Sequence, residues 1–177
     1  MNDDAETNRK SRGSLVGFAA ALMIGAGVLI VLTSTSNLLE GGTPAPAFSL
    51  PRADSNEEVS LESLRGKVVL LDFWSTSCGP CIRLMAELEV IHRQIDADDL
   101  VILGINTEGA PPQLIREFAQ AQGVQYTMLL DDERVSAAYQ VQTLPTIYLI
   151  DREGNIRWSR VGFISHEQLS EVIRGLI

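Results

Sequence analysis

The sequence predicts an α/β fold, a mixed β-sheet flanked by helices on both faces, preceded by one transmembrane helix. Three observations carry this reading. From Lys67 onward, apolar runs of strand length alternate with segments of helical period. The tetrapeptide Cys78-Gly79-Pro80-Cys81 ends one such run and opens the helix that follows it. Far upstream, Leu15 to Leu32 is an 18-residue run without a charged side chain, within the range of ~17–25 that crosses a bilayer.

The elements follow in order. Arg9, Lys10 and Arg12 precede the apolar run, and no Lys or Arg follows until Arg52. Positive charge stays on the cytoplasmic side, so the N-terminus is expected inside and the rest of the chain outside. A cleaved signal peptide is the competing reading, because Thr33-Ser34-Thr35-Ser36 is a stretch of small residues. No Cys stands beside the run to take a lipid. The expected organisation is a cytoplasmic tail (1–14), a membrane anchor (15–32), a linker (33–46) and a folded domain (47–177). Gly, Pro and small residues dominate the linker from Asn37 to Pro46.

Phe48-Ser49-Leu50 and Val59-Ser60-Leu61 flank a polar loop and predict a short hairpin. Lys67 to Trp74 contains Val68-Val69-Leu70-Leu71, a continuous apolar run typical of a strand buried on both faces. A helix is expected from the cysteines to about Ile95, with Leu84, Leu88, Ile91 and Ile95 on its apolar face. Leu100 to Ile105 is the next buried strand. Pro111-Pro112 opens a helix that Gly123 closes, with Leu114, Ile115 and Phe118 expected inward. Tyr126 to Leu130 is a strand, and Val135 to Tyr139 a short helix. Thr146 to Ile150 and Ile156 to Val161 form an antiparallel pair across the turn Asp151 to Asn155. Ser165 is positioned to cap the last helix, with Gln168 at the capping-box position.

Composition narrows the function. The net charge is −9, and the first 14 residues carry three acidic and three basic side chains, so the excess lies beyond them. No basic patch suits a nucleic acid. Two cysteines are too few for a disulfide-framework scaffold. No metal site is expected, because His92 and His166 lack paired ligand spacing. A redox pair is the remaining strong reading, and no cofactor beyond the Cys78–Cys81 disulfide itself is expected.

Positions i and i+3 at a helix start bring two α-carbons within disulfide reach, roughly 4.4–6.8 Å. Cys78 then sits where free backbone N–H groups and the helix dipole favour an anion, which makes it the attacking thiolate. Cys81, one turn deeper, is the resolving thiol. Asp72 stands six residues before Cys78 at the end of an apolar strand. Buried without a cation, it holds its proton more tightly than usual and serves as the base that deprotonates Cys81. The alternative is an Asp that turns outward or caps a nearby N–H. Leu144-Pro145 directly precedes a strand, where Pro gives no ladder hydrogen bond, and it indicates a turn.

Together these residues resemble the thioredoxin superfamily. Leu71-Asp72-Phe73-Trp74 with Cys78-Gly79-Pro80-Cys81 is similar to its active-site strand and helix. Leu144-Pro145-Thr146 is similar to its cis-proline loop, and Val161-Gly162 to the glycine beside its substrate groove. The N-terminal anchor, the segment Pro44 to Leu50 and an extra strand-helix unit at Gly104 to Leu130 resemble the TlpA/ResA-like membrane-anchored group. This implies a thioredoxin-like domain whose groove is built by Trp74, Gly79, Pro80, Leu144, Pro145 and Gly162. It also implies cysteine-containing protein substrates, re-reduction by a membrane electron-donor protein, and work in c-type cytochrome maturation or a related extracytoplasmic pathway. The chain departs from the pattern in three ways. It has Asp72 where many group members carry Asn, no Lys on the strand Val101 to Ile105, and Ser77 where thioredoxin has Trp. Two other functions remain in view. One is a thiol peroxidase of the peroxiredoxin kind, with Ser75 at the position of the usual Thr. The other is a non-catalytic, membrane-tethered adaptor that binds thiol-bearing chains.

Overall fold

The structure, a computed structural model, describes residues 38–55 and 57–177. Its elements are β1 (Ser49–Pro51), β2 (Glu58–Ser60), a 3-10 turn (Glu62–Leu64), β3 (Val68–Trp74), α1 (Gly79–Gln94), β4 (Leu100–Asn106), α2 (Pro112–Ala121), β5 (Thr127–Leu130), α3 (Arg134–Ala138), β6 (Thr146–Ile150), β7 (Ile156–Val161) and α4 (His166–Arg174). Strands β1 and β2 form the predicted hairpin. The other five form one sheet in the order β5-β4-β3-β6-β7. Parallel pairing joins β3 to β4 and β4 to β5, while β6 and β7 run antiparallel to their neighbours.

The central strand β3 explains the apolar run in the sequence. All seven of its residues are buried. Val68, Leu70 and Trp74 enter one core layer, with Leu84, Met85 and Leu88 of α1, Ile115 of α2 and Leu169 of α4. Val69, Leu71 and Phe73 enter the other, with Phe48 and Leu50 of the hairpin segment, Val135 of α3 and Tyr139. Helices therefore cover both faces, as expected. The second layer is aromatic: Phe73 and Tyr148 pack edge-on at 6.2 Å, and the Tyr148 hydroxyl donates to the Tyr139 carbonyl at 2.6 Å.

Local chemistry sets the boundaries. Pro80 lies in the first turn of α1, where its missing N–H leaves no gap. Leu84, Met85, Leu88 and Ile91 seat that helix on the sheet, each at most 1 % exposed. Truncating one of them to Ala removes ~2–5 kcal/mol. Beyond α2, Gly123 takes a left-handed φ of 72° and the Val124 N–H returns to the Ala119 carbonyl. In the turn between β6 and β7, the Asp151 Oδ1 accepts from the N–H groups of Glu153 and Asn155 at 3.1 and 2.7 Å. The Asp131 carboxylate opens α3 by accepting from the amides of Val135 and Ser136.

Three details differ from the sequence reading. Leu114 is 47 % exposed, because the buried face of α2 runs through Ile115 and Ala119, and Leu114 lies about 100° away from Ile115. Ser165 stands at the N-cap of α4 but its side chain makes no cap bond. Glu87 of α1 takes that role, accepting the His166 N–H at 2.8 Å. The last part of the expected linker is also tied down. Gly42 donates to the Ile156 carbonyl, Ile156 to Thr43, and Ala45 to Gly154. Among the described residues no helix is long and apolar enough to cross a membrane. The predicted anchor and tail lie outside those residues.

Candidate active site

Cys78 is the N-cap of α1 and is joined to Cys81 by a disulfide, with the α-carbons 5.2 Å apart. Cys78 is partly exposed, whereas Cys81 is fully buried. The Cys78 Sγ accepts the Cys81 N–H at 3.2 Å, and the Cys78 carbonyl accepts from Ile82. The partly exposed sulfur thus lies against one backbone donor at a helix N-terminus, a setting that favours a thiolate. Gly79 and Pro80 are both exposed and form the surface of this turn.

Asp72 lies on the same face of β3 as Leu70 and Trp74, the face against which α1 and Cys81 pack. It is completely buried, and neither carboxylate oxygen has a hydrogen-bond partner. Burial pushes its pKa from 3.8 up to about 8. Its neighbours across the sheet are Gly104 on β4 and Ile147 on β6, so no cation meets it from either side. A carboxyl that holds its proton to this pH matches the task of trading protons with a thiol.

The loop between β3 and α1 is fastened to the end of β4. Glu108 accepts the Thr76 N–H at 3.0 Å through one oxygen and the Thr76 hydroxyl at 3.1 Å through the other. The Asn106 amide donates to Glu108 at 3.0 Å, and the Thr107 N–H reaches the Trp74 carbonyl. The loop that presents Cys78 is therefore held by a polar clamp at the carboxyl ends of two parallel strands, where ligands collect in open α/β sheets. Trp74 itself is fully buried, and Phe118 of α2 stacks on it at 5.4 Å. The expectation that Trp74 rims a groove is corrected: Phe118 of α2 covers it and makes it part of the core.

The other predicted groove residues stand beside β6 and β7. The Leu144–Pro145 peptide bond is cis, Pro145 is buried and Leu144 half-buried. The Gly162 N–H donates to the Pro145 carbonyl at 2.8 Å, which sets the two predicted groove residues side by side. Next to Gly162, Phe163 is 38 % exposed, with the Arg83 guanidinium of α1 5.9 Å from its ring centre.

The AhpC/TSA family model matches residues 42–159. The thioredoxin-like protein YneN of Bacillus subtilis is 33 % identical over 135 residues, spanning 75 % of this chain and 78 % of its own length. The thiol-disulfide oxidoreductase ResA of Geobacillus thermodenitrificans is 31 % identical over 136 residues, or 76 % and 77 % of the two chains. The chain belongs to the AhpC/TSA family. Within it, the chain is TlpA/ResA-like and a thiol–disulfide oxidoreductase by class. A DsbE-like thiol:disulfide interchange protein from Chlorobium tepidum superposes with a TM-score of 0.71 at 28 % identity, covering 78 % of this chain and 98 % of that one.

The sequence pointed to the cysteines, Asp72, Pro145 and Gly162 as candidates, and gave little sign of three residues that the structure places around them. Glu108 stands in a loop with no motif around it. Its only signal was a place just beyond a parallel strand. Phe163 had none. Tyr126 was read only as the start of a strand, yet it is buried within the same core layer as Asp72 and Cys81. Apart from these, Glu87, His166 and Glu167 bring possible metal-ligating atoms within 4.8 Å of one another. Those atoms already serve one another, because the Glu87 Oε2 lies 2.6 Å from the His166 Nδ1 and also caps α4.

Proposed function

We propose that this protein reduces disulfides in exported proteins, with apocytochromes c as the substrate class, from a position anchored to the outer face of the cell membrane. The carrying observation is the pairing of a partly exposed Cys78 at a helix N-terminus with a buried Cys81 and a proton-holding Asp72 on the strand beneath. In the reduced enzyme the Cys78 thiolate attacks one sulfur of a substrate disulfide. A mixed disulfide forms and the other substrate sulfur leaves as a thiolate. In its ionised form, reached near the upper end of the neutral range, Asp72 takes the proton of Cys81, whose sulfur then attacks the Cys78 Sγ. The Cys78–Cys81 disulfide forms, the second substrate thiolate departs, and two electrons have passed to the substrate.

A membrane electron-donor protein returns the enzyme to its dithiol form. The anchor at 15–32 keeps the domain outside the cytoplasm, where disulfides persist. The groove between the Cys78 turn and the Leu144-Pro145 and Gly162 wall takes the cysteine-bearing segment in extended form.

The test uses the full chain in detergent with insulin and with an oxidised peptide bearing the haem-attachment spacing C-x-x-C-H. Wild type reduces both, Cys78→Ser reduces neither, and Cys81→Ser accumulates the mixed disulfide. A reduction potential near ~−270 mV supports the reductant direction, and one near ~−120 mV reverses it. Faster turnover of hydrogen peroxide than of the peptide moves the reading to a thiol peroxidase. Complementation by the Cys78→Ser/Cys81→Ser double variant moves it to an adaptor.

A further inference from the structure

Gly104 is a glycine inside the buried strand β4. It lies directly beside Asp72 in the β3–β4 register and opposite Met128 in the β4–β5 register. A Cβ at Gly104 would come within 2.5 Å of the Met128 Sδ and 3.2 Å of the Tyr126 Cε2. The space a side chain would take beside Asp72 is thus filled by Met128 and the ring of Tyr126. Tyr126 is 4 % exposed, and its hydroxyl has no partner, like both oxygens of Asp72. Orphaned polar atoms inside a core are rare and costly, so a cluster of them in one layer requires an explanation.

The other charged and titratable groups around Tyr126 do not supply one. Glu89 of α1 is already occupied, since one oxygen accepts the Arg93 Nε at 2.8 Å and the other the Gln125 N–H at 2.9 Å. That second bond fixes the backbone next to Tyr126. His92 of α1 meets the Tyr126 ring edge-on, with ring centres 6.1 Å apart. Arg116 of α2 and Asp54 line a cleft of about 250 Å³ that has Tyr126 in its wall. Neither β4 nor β6 contributes a charge beside Asp72. Burial raises the Tyr126 pKa well above 10, and the charge of Asp72 raises it further, ahead of that of Glu89. The phenol is therefore a permanent donor at working pH, and Asp72 is the carboxylate nearby with free acceptor capacity.

We propose that Tyr126 is the positioning residue for Asp72: its hydroxyl donates to the Asp72 carboxylate, directly or through one water, whenever Asp72 gives up its proton. Tyr126 thus stands where a neighbouring cation would otherwise stabilise the base, and it sets the pH at which Cys81 can be deprotonated. This rests on the reading of Asp72 as the base, and the measurements below separate the two.

The experiment follows the Asp72 carboxyl by carbon NMR in the full-length protein, with the pH profile of peptide-disulfide reduction recorded alongside. Tyr126→Phe removes the donor and leaves the ring. It is expected to raise the Asp72 midpoint and the kinetic midpoint together, by about one pH unit. Replacing Tyr126 with difluorotyrosine, a stronger donor of nearly the same shape, lowers both. It gives the answer even where the Phe variant folds poorly. An Asp72 midpoint unchanged in both variants overturns the proposal. A kinetic midpoint that persists in Asp72→Asn instead removes Asp72 from the reaction, while the NMR midpoint still decides whether Tyr126 governs its ionisation.

Discussion

The Gly162 N–H donates to the Pro145 carbonyl across 2.8 Å, so the end of β7 and the turn before β6 hold one another. Gly162 makes this bond at a φ of 92°, a conformation that side-chain-bearing residues rarely adopt, although a Cβ there would meet no atom within 4 Å. Replacement by Ala therefore strains the backbone without a clash, at a cost of about 1–3 kcal/mol. Gly162→Ala is expected to raise KM for a peptide disulfide several-fold and to leave alkylation of reduced Cys78 by iodoacetamide unchanged. Equal slowing of both reactions would place the damage in the cysteine turn instead.

Burial of Asp72 links stability to pH, and the sign is fixed by its raised pKa. Below the unfolded value near 3.8, both states carry the proton and the site adds no pH dependence. Between that value and about 8 the unfolded chain releases the proton while the native state keeps it, so the native state loses stability as pH rises. At neutral pH the loss reaches ~4 kcal/mol at most. Asp72→Asn is expected to be more stable than wild type in urea at pH 7. The difference should shrink toward pH 4 and stop growing above about 8. A gap between the two proteins that ignores pH would contradict this burial-driven account.

Glu108 fastens the cysteine loop without belonging to the chemistry. Glu108→Gln retains an acceptor for Thr76 but loses the charge, and Glu108→Ala loses both bonds. The expected order of disulfide-reduction rates is wild type, then Gln, then Ala, with Ala lower by about tenfold, the worth of one charge-assisted hydrogen bond. Melting temperatures should change little, because the clamp is at the surface. A large fall in melting temperature with unchanged rate would make Glu108 a stability residue only.

Glu87 joins α1 to α4 by accepting the first N–H of the latter. Glu87→Ala should destabilise the domain by about 1 kcal/mol, in the range of a lost helix cap. Glu87→Gln should recover part of it. Turnover at 25 °C is expected to stay near wild type, which a thermal melt and a single-temperature assay together test.

Legibility in the sequence followed the physics of each signal. Period and punctuation were enough for β3, β6 and β7, because an uninterrupted apolar run and a five-residue polar turn leave few alternatives. The cysteine turn was legible because its spacing is itself the chemistry. Leu114 was misplaced because two adjacent apolar residues on a helix cannot both face the sheet, and the sequence does not say which one does. The exposure expected of Trp74 failed for a different reason. What covers it is Phe118, 44 positions later, and such a contact has no local signature. Glu108 and Glu87 share that property, since each bonds a partner brought near only by the crossovers.

β3 carries its residues alternately to two unlike layers, and this restricts how such a chain can change over time. Point substitutions within the strand can be absorbed one at a time. Gaining or losing a single residue between Val68 and Asp72 cannot, because it exchanges the two faces downstream. The carboxylate would then enter the aromatic layer of Phe48, Tyr139 and Tyr148, and an apolar side chain, Leu71 on a gain or Phe73 on a loss, would take its place. Asp72 keeps its place on the cysteine-facing side of the sheet by the parity of a count, so lineages of this enzyme should vary in length in the loops around β3 and keep the strand at constant length.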